Sequence, residues 1–423
     1  MRDRMHFFFL NIGHFLDHLF TLIFATVAAL VLTHEWGMAY DQLILYATPG
    51  FIAFGLFSLP AGWLADRWSR EGMMAVFFFG AGLVATATSL VENPLQMAVG
   101  LFFVGVFAAI YHPVGLALVA QQKVGMGMAI AINGVWGNLG VASAALLTGF
   151  LIDLTSWRMA FIVPGVISIA VGLVYSYNFW DRIARRNGTR ERAVIAPEQQ
   201  PIQTATGARP ADARLTSEAR WLLIRISAII FFTTAISSVI FQGTTFSLPK
   251  VFDERLTGLA ASATVIGWLA FIVFSIASIA QLIVGSMLDR YGPRNVFVCV
   301  AAIQILFFAL MPGLKDGPAL LVALGFMIGA FGQIPINDYM IGRMAKSELR
   351  ASIYGARYII SFSVLAAVIP LIAWVYRHWG FDMLFIILGA AAAAILVAVI
   401  MLPARLPESE PSDVAPIPAT TKA

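Results

Sequence analysis

Twelve long apolar stretches, six on either side of a polar segment, constrain this chain more than any other feature. A membrane-spanning helix needs roughly 20 mostly apolar residues. The stretches lie near residues 6–32, 42–64, 73–91, 95–120, 126–151, 158–180, 221–249, 259–288, 295–312, 318–342, 351–376 and 381–402. Strands of a membrane barrel would alternate apolar and polar residues over about ten positions, whereas these stretches are continuously apolar. The sequence therefore predicts an all-α integral membrane protein with 12 transmembrane helices.

The composition excludes a water-soluble globular protein. Hydrophobic residues make up 60% of the chain and charged residues 12%, and the mean hydropathy is +0.83. A soluble domain typically carries about 45–50% apolar and about 25% charged residues. The first apolar stretch is too long for the core of a signal peptide, so we expect a retained first helix. The single cysteine, Cys299, allows no internal disulfide.

The basic residues indicate a topology rather than a nucleic-acid partner. With the N-terminus in the cytoplasm, 20 of the 27 lysines and arginines fall in cytoplasmic segments and 5 on the other side. The positive-inside rule then predicts a multi-pass protein of the inner membrane with both termini in the cytoplasm. The net charge of +4 needs no nucleic acid to explain it.

The chain divides into two halves of similar pattern. We expect an N-terminal six-helix bundle over 1–180, a cytoplasmic linker over 181–220, a C-terminal six-helix bundle over 221–402 and a disordered cytoplasmic tail over 403–423. The loop "GWLADRWSREG" after the second helix returns as "GSMLDRYGPRN" after the eighth, 223 positions later. Pro113 and Pro335 share almost the same offset. The two bundles are therefore predicted to be pseudo-symmetric copies of one unit.

This arrangement resembles the major facilitator superfamily. The resemblance rests on the 6+6 helices, the long central loop and the repeated G-x-x-x-D-R-x-x-R motif. In that superfamily the acidic and basic residues of the motif form a charge network at the cytoplasmic gate. By resemblance, the gating residues here are Asp66, Arg67, Arg70, Asp289, Arg290 and Arg294.

The first helix carries ionisable side chains that are costly inside a bilayer. Asn11, His14, His18 and Thr21 follow three- and four-residue steps, so they share one face, and Asp17 lies beside them. A carboxylic acid in a low-dielectric cavity tends to keep its proton, and histidine titrates near neutral pH. We expect Asp17 to couple transport to protons, with His14, His18 and His112 passing or sensing a proton. The alternative is that Asp17 is a structural partner of His14 or Asn138.

Further polar residues at membrane depth are candidates for substrate binding. Arg357 stays charged in any environment, so it needs either Asp338 or an anionic substrate group as a partner. Asn133 and Asn138 can either bind substrate or hold helices together. The predicted set is Asn133, Asn138, Gln242, Asn337, Asp338 and Arg357.

Within the superfamily the chain resembles the fosmidomycin-resistance-type exporters. The resemblance rests on the histidine and aspartate of helix one, on "YHP" (111–113) and on "GMAIAINGVWGNLG" (127–140). It implies proton-coupled efflux. Two departures stand out: Ala144-Ala145 replaces a Gly-Pro pair typical of antiporters, and "VGLALVA" (114–120) lacks the charges that follow His-Pro in that branch.

The sequence thus predicts a secondary transporter that moves a small organic solute by alternating access, with proton-coupled efflux as the leading mechanism. Three alternatives stay open: proton-coupled uptake of a small organic anion, transport of a transition metal by the His/Asp cluster, and a membrane sensor that transports nothing. No sequence pattern for enzymatic chemistry is present, and we expect no cofactor. The expected partners are a small-molecule substrate, protons and the lipid bilayer, and the expected state is a monomer.

Overall fold

The computed structural model describes residues 2–121, 126–184, 217–344 and 350–403. All regular secondary structure in these ranges is helical. Within these described ranges, eleven helices are long and apolar enough to span a membrane. The last of them is broken at Gly380 (φ 70°) and so covers two predicted spans. The prediction of a twelve-helix membrane protein is confirmed.

The helices follow the predicted apolar stretches closely. In the first half they are α1 (Arg2–Glu35), α2 (Tyr40–Arg67), α3 (Arg70–Thr88), α4 (Pro94–Val119), α5 (Met126–Leu154) and α6 (Met159–Ile183). In the second half they are α7 (Ser217–Arg255), α8 (Ala263–Tyr291), α9 (Pro293–Leu310), α10 (Asp316–Met344), α11 (350–379) and α12 (381–400). The predicted linker and tail lie mostly outside the described residues, so the domain boundaries stay predictions.

Local sequence signals start several of these helices. Ser69 and Asn93 cap α3 and α4, because their side-chain oxygens accept hydrogen bonds from Gly72 N and Gln96 N, each at 3.0 Å. Ser262 caps α8 in the same way, at 3.4 Å from Val265 N. These caps set where each of the three helices begins after its loop.

Glycines on α5 let backbones approach closely where the site is built. A Cβ at Gly140 would lie 2.2 Å from the carbonyl oxygen of Phe15, so only glycine allows α5 to pack this tightly on α1. On the other side of α5, Gly149 faces the Ala263 carbonyl at the same 2.2 Å. Helix α5 therefore holds α1 of its own half and α8 of the other half.

Contacts between the halves lie near the centre and at the face opposite the termini. Near the middle of α5, Asn138 donates to Gln281 on α8 at 2.9 Å. At the opposite face the backbone N–H of Thr264 donates to Asp153 at 2.7 Å. We call this the distal face. The side carrying residue 2 and the loops at 67–70 and 291–293 is the terminal face.

Candidate functional site

A cavity of about 200 Å³ lies between the two halves. Helices α1, α2, α4 and α5 form one wall, and α7, α10 and α11 form the other. The first wall contributes Asp17, His18, Thr21, Leu22, Phe51, Phe54, His112 and Val141. The second contributes Thr234, Ser237, Ser238, Phe241, Gln242, Thr245, Ala330, Gln333, Ile334, Asn337, Ser361 and Leu365.

An acid–base pair stands on the first wall. The Nε2 atom of His112 lies 3.4 Å from Oδ2 of Asp17, and the Asp17 residue is fully buried. Neither carboxylate oxygen has a conventional hydrogen bond from another described residue. Asp17 thus depends on His112, on a proton or on a ligand to satisfy its buried oxygens. The predicted alternative partners, His14 and Asn138, make their own contacts elsewhere.

A π-helical turn places His112 opposite Asp17. The turn covers Tyr111–Gly115, in the middle of α4. Pro113 has no backbone N–H and cannot complete a regular α-helical ladder, and π turns of this kind occur often at functional sites. The chain around Pro113 therefore forms a widened turn, and this turn carries His112.

His14 lies behind the cavity wall rather than on it. Its Nδ1 atom is 2.7 Å from the carbonyl oxygen of Asn133, and its ring stacks on Tyr111 with centroids 4.8 Å apart. One donor nitrogen from each of His14, His18 and His112 falls within 4.8 Å of the others. The three imidazoles form one cluster, of which only His18 and His112 line the cavity.

Asn133 joins three helices instead of facing the cavity. Its Nδ2 group donates to Asn11 Oδ1 on α1 and to the hydroxyl of Tyr111 on α4, both at 2.9 Å. The Tyr111 hydroxyl in turn donates to the Leu10 carbonyl at 2.8 Å. The residue is fully buried. This geometry fits the packing alternative for Asn133, and Tyr111 is a partner that the sequence did not single out.

The second wall presents polar atoms that lack partners. Thr234 Oγ1, Ser237 Oγ, Gln333 Oε1 and Asn337 Oδ1 have no hydrogen bond to any described residue. Gln333 Nε2 donates to Gln304 Oε1 behind the wall, which fixes the Gln333 amide. A buried polar group without a partner is costly. Such a wall is suited to bind the hydroxyl or carboxyl groups of a solute.

Some of the other predicted binding residues line the cavity, and some do not. Gln242 and Asn337 line the cavity. Asn138 bonds to Gln281 of the other half, and Asp338 lies next to Asn337 but outside the lining. The side chain of Arg357 lies outside the described residues. The serines and threonines of α7 were missed, although their spacing of three and four residues before Gln242 is a readable signal.

The predicted gating residues occupy the terminal face. Arg70 donates to Asp66 at 2.7 Å, within the motif itself, and Arg67 stacks over Trp63 at 4.1 Å. In the second copy, Arg294 donates to the carbonyl of Ile400 at the end of α12, at 3.0 Å. Arg290 stacks over the ring of its neighbour Tyr291 at 5.3 Å. The side chain of Asp289 is outside the described part of the chain.

The chain is similar to known transporters over nearly all of its length. It is 23% identical to the 4-hydroxybenzoate transporter PcaK of Pseudomonas aeruginosa over 414 residues, which cover 92% of this chain and 89% of that protein. It is also 23% identical to the gallate transporter of Pseudomonas putida over 394 residues, or 87% and 85% of the two chains. Among solved structures, a D-xylose–proton symporter superposes with a TM-score of 0.71 over 95% of this chain and 97% of that one, at 13% identity, and so shares the fold.

The Major Facilitator Superfamily profile matches residues 10–261 and 230–422, which together cover almost the whole chain. The match confirms the prediction of a transporter of small molecules rather than an enzyme. The narrower resemblance to fosmidomycin-resistance-type exporters stays a prediction. This chain is a multi-pass membrane transporter that belongs to the Major Facilitator Superfamily.

Proposed function

We propose that this transporter moves a small hydroxylated organic acid, of the single-ring aromatic class, together with a proton. The observation that carries the proposal is the Asp17–His112 pair, which faces a wall of hydroxyl and amide groups across one small cavity. The pair is the proton site, and the facing wall is the solute site. Alternating access by the two halves exposes this cavity to one side of the membrane at a time.

The size and lining of the cavity support a small aromatic acid. Pockets for drug-sized ligands have volumes of about 300–1,000 Å³, whereas this cavity measures about 200 Å³. Phe51, Phe54 and Phe241 supply apolar faces for a ring. The unpartnered oxygens of the second wall accept hydrogen bonds from phenolic hydroxyl groups. The full-length similarity to transporters of 4-hydroxybenzoate and gallate supports the same solute class.

The charges of the described lining favour symport of an anion. Asp17 is the only carboxylate among the lining residues, and its negative charge repels a carboxylate ligand. A proton taken up by the Asp17–His112 pair removes that repulsion, so the proton and the anion strengthen each other's binding. A cation would instead compete with the proton, as an antiporter requires. We therefore place proton-coupled uptake of an organic anion ahead of efflux.

The predicted topology, oligomeric state and gating motif are also part of this proposal. Cytoplasmic termini place the terminal face inside the cell, so the distal face with its cross-half contacts lies outside. A monomer is the proposed working state. In this arrangement the repeated motif at 62–70 and 285–294 acts at the inner gate.

Transport by purified protein in liposomes tests the proposal. Radiolabelled 4-hydroxybenzoate and gallate are supplied outside at a lower pH than inside, with and without a protonophore. We expect accumulation that disappears with the protonophore. Uptake that ignores the pH gradient, or a gradient that drives the solute outward in exchange for protons, would show that the symport assignment is wrong.

Asp17→Asn separates coupling from binding. We expect it to reduce gradient-driven accumulation by about tenfold or more, while solute exchange without a gradient persists. Glu92→Gln serves as the matched control, because it also removes one carboxylate but lies exposed in the loop between α3 and α4. Unchanged gradient-driven accumulation in Asp17→Asn would exclude Asp17 as the coupling residue.

A further inference from the structure

We infer that His14, His18 and His112 form a binding site for a divalent transition-metal ion of the Zn²⁺ class, and that the bound ion arrests transport. The starting observation is that one donor nitrogen of each ring lies within 4.8 Å of the other two. The rings come from two different helices, α1 and α4. An ion held by all three would therefore tie these helices together.

The hydrogen bonding of His14 suits a metal ligand. A carbonyl oxygen can only accept, so the 2.7 Å contact with Asn133 means that Nδ1 of His14 carries the proton. The lone pair is then on Nε2, which is buried and has no hydrogen-bond partner among the described residues. Metal-binding histidines commonly donate their other N–H to a backbone carbonyl in this manner. The hydrogen bond from His14 to the Asn133 carbonyl thus already provides this support.

The ring spacing matches one shared ion. The centroids of His14 and His18 are 4.9 Å apart, those of His14 and His112 are 5.5 Å apart, and those of His18 and His112 are 5.6 Å apart. Three imidazoles on one tetrahedral zinc, with Zn–N bonds of about 2.1 Å, place their centroids about 5 Å apart. His18 and His112 are partly exposed to the cavity, so their rings can turn until their nitrogens and that of His14 reach one ion. The ion enters through the cavity.

The negative charge of Asp17 favours a cation at this place, although Asp17 is not one of the three residues whose donor atoms lie within 4.8 Å of one another. Its carboxylate lies 3.4 Å from His112 Nε2. Three imidazoles and a carboxylate or water suit Zn²⁺ and related ions, whereas soft thiolate ligands would be needed to favour copper(I). The imidazoles must be neutral to bind, so protons and metal compete for the same nitrogens. The titratable groups that face this cluster in the described residues are the three histidines, Asp17 and the Tyr111 hydroxyl.

A bound ion would prevent the Asp17–His112 pair from taking up a proton. It would occupy His112, hold the charge of Asp17 and fix α1 against the π turn of α4. Metal binding itself does not depend on the transported solute, whereas the arrest of transport rests on the proposed function. The two parts can therefore be measured separately.

Cobalt(II) reports the binding part directly. Full-length protein with its affinity tag removed is titrated with Co²⁺ in detergent. We expect the strong visible absorption of four-coordinate cobalt, which Zn²⁺ then displaces. His14→Gln, His18→Gln and His112→Gln should each weaken Co²⁺ binding by about tenfold or more. His34→Gln and His378→Gln are matched controls, because both histidines are exposed and far from the cluster along their helices.

Three outcomes overturn the inference in whole or in part. A weak six-coordinate spectrum, or a four-coordinate one that survives His18→Gln, would exclude the site. His18→Gln is the decisive variant because His18 lies at the cavity surface, whereas replacing the buried His14 can disturb folding. In liposomes, the zinc concentration that halves uptake should rise by about tenfold or more in His18→Gln, with each protein compared with its own uptake without zinc. If cobalt binds as expected but zinc does not inhibit uptake, then the inferred arrest of transport is wrong. Absence of organic-acid transport would overturn the proposed function and leave the cobalt result standing.

Discussion

The ring of Tyr40 on α2 meets the ring of Tyr376 on α11 edge to face, with centroids 5.2 Å apart, and so joins the two halves at the distal face. Around this pair Lys250 lies over the Tyr40 ring, and the Tyr376 hydroxyl donates to Glu254 at 2.5 Å. An aromatic pair of this geometry contributes about 0.5–1.5 kcal/mol. The contact therefore favours the state in which the distal face is closed.

Tyr40→Ala should shift the protein toward a state open at the distal face. Because Cys299 is the only native cysteine, Cys299→Ser followed by Thr21→Cys gives a single thiol at the cavity. We expect Tyr40→Ala to raise its labelling by a membrane-impermeant reagent from the distal side by about two- to tenfold. Tyr177→Ala, on an exposed part of α6, is the control. Equal labelling in the two variants would show that Tyr40 does not help to close the distal face.

Gly140→Ala should destabilise the protein severely. The new methyl group would meet the backbone of Phe15, which cannot move as a flexible side chain would. We expect a loss of about 1–3 kcal/mol or more in the free energy of unfolding, measured by thermal or denaturant unfolding in detergent. Gly134→Ala, on the same helix with nothing within 4 Å of its Cβ position, should be neutral. Equal stability of the two variants would contradict the close α1–α5 packing.

Asn133→Leu should reduce stability more than it reduces solute affinity. The change leaves Asn11 and Tyr111 without their shared donor, at a cost of about 1–3 kcal/mol. The measurements are the unfolding midpoint and the KM for 4-hydroxybenzoate. Asn138→Leu is the comparison on the same helix. If Asn133→Leu raises KM strongly at unchanged stability, then Asn133 binds substrate, as one alternative from the sequence predicted.

Asn337→Ala should discriminate between solutes by their hydroxyl groups. Its Oδ1 atom lines the cavity without a partner and would accept from a phenolic hydroxyl. We expect KM to rise about two- to tenfold for 4-hydroxybenzoate and gallate, and far less for benzoate, which lacks the hydroxyl. Ile334→Ala, one turn earlier on α10, should affect all three acids alike. A uniform effect of Asn337→Ala would place the hydroxyl contact elsewhere.

The helices were predictable because the bilayer demands long apolar segments with internally satisfied backbones. Asp17 and His112 could each be singled out, since ionisable groups at membrane depth are costly. Their pairing could not, because it depends on how α4 turns at Tyr111–Gly115 relative to α1. The same holds for Asn133, whose sequence context fits a cavity residue and a packing residue equally well. Only the helix contacts distinguish the two.

The π turn at Tyr111–Gly115 sets the rotation of His112 about the axis of α4, and with it the geometry of the proposed proton site. A π turn carries one residue more than an α turn, and one residue of α-helix corresponds to about 100° of rotation about the axis. A change in the winding of this single turn would swing His112 around α4 and away from Asp17. A twist within this one helix could thus break or restore the contact between His112 and Asp17. The proposed proton site can therefore change its geometry separately from the charged motif that we propose acts at the inner gate.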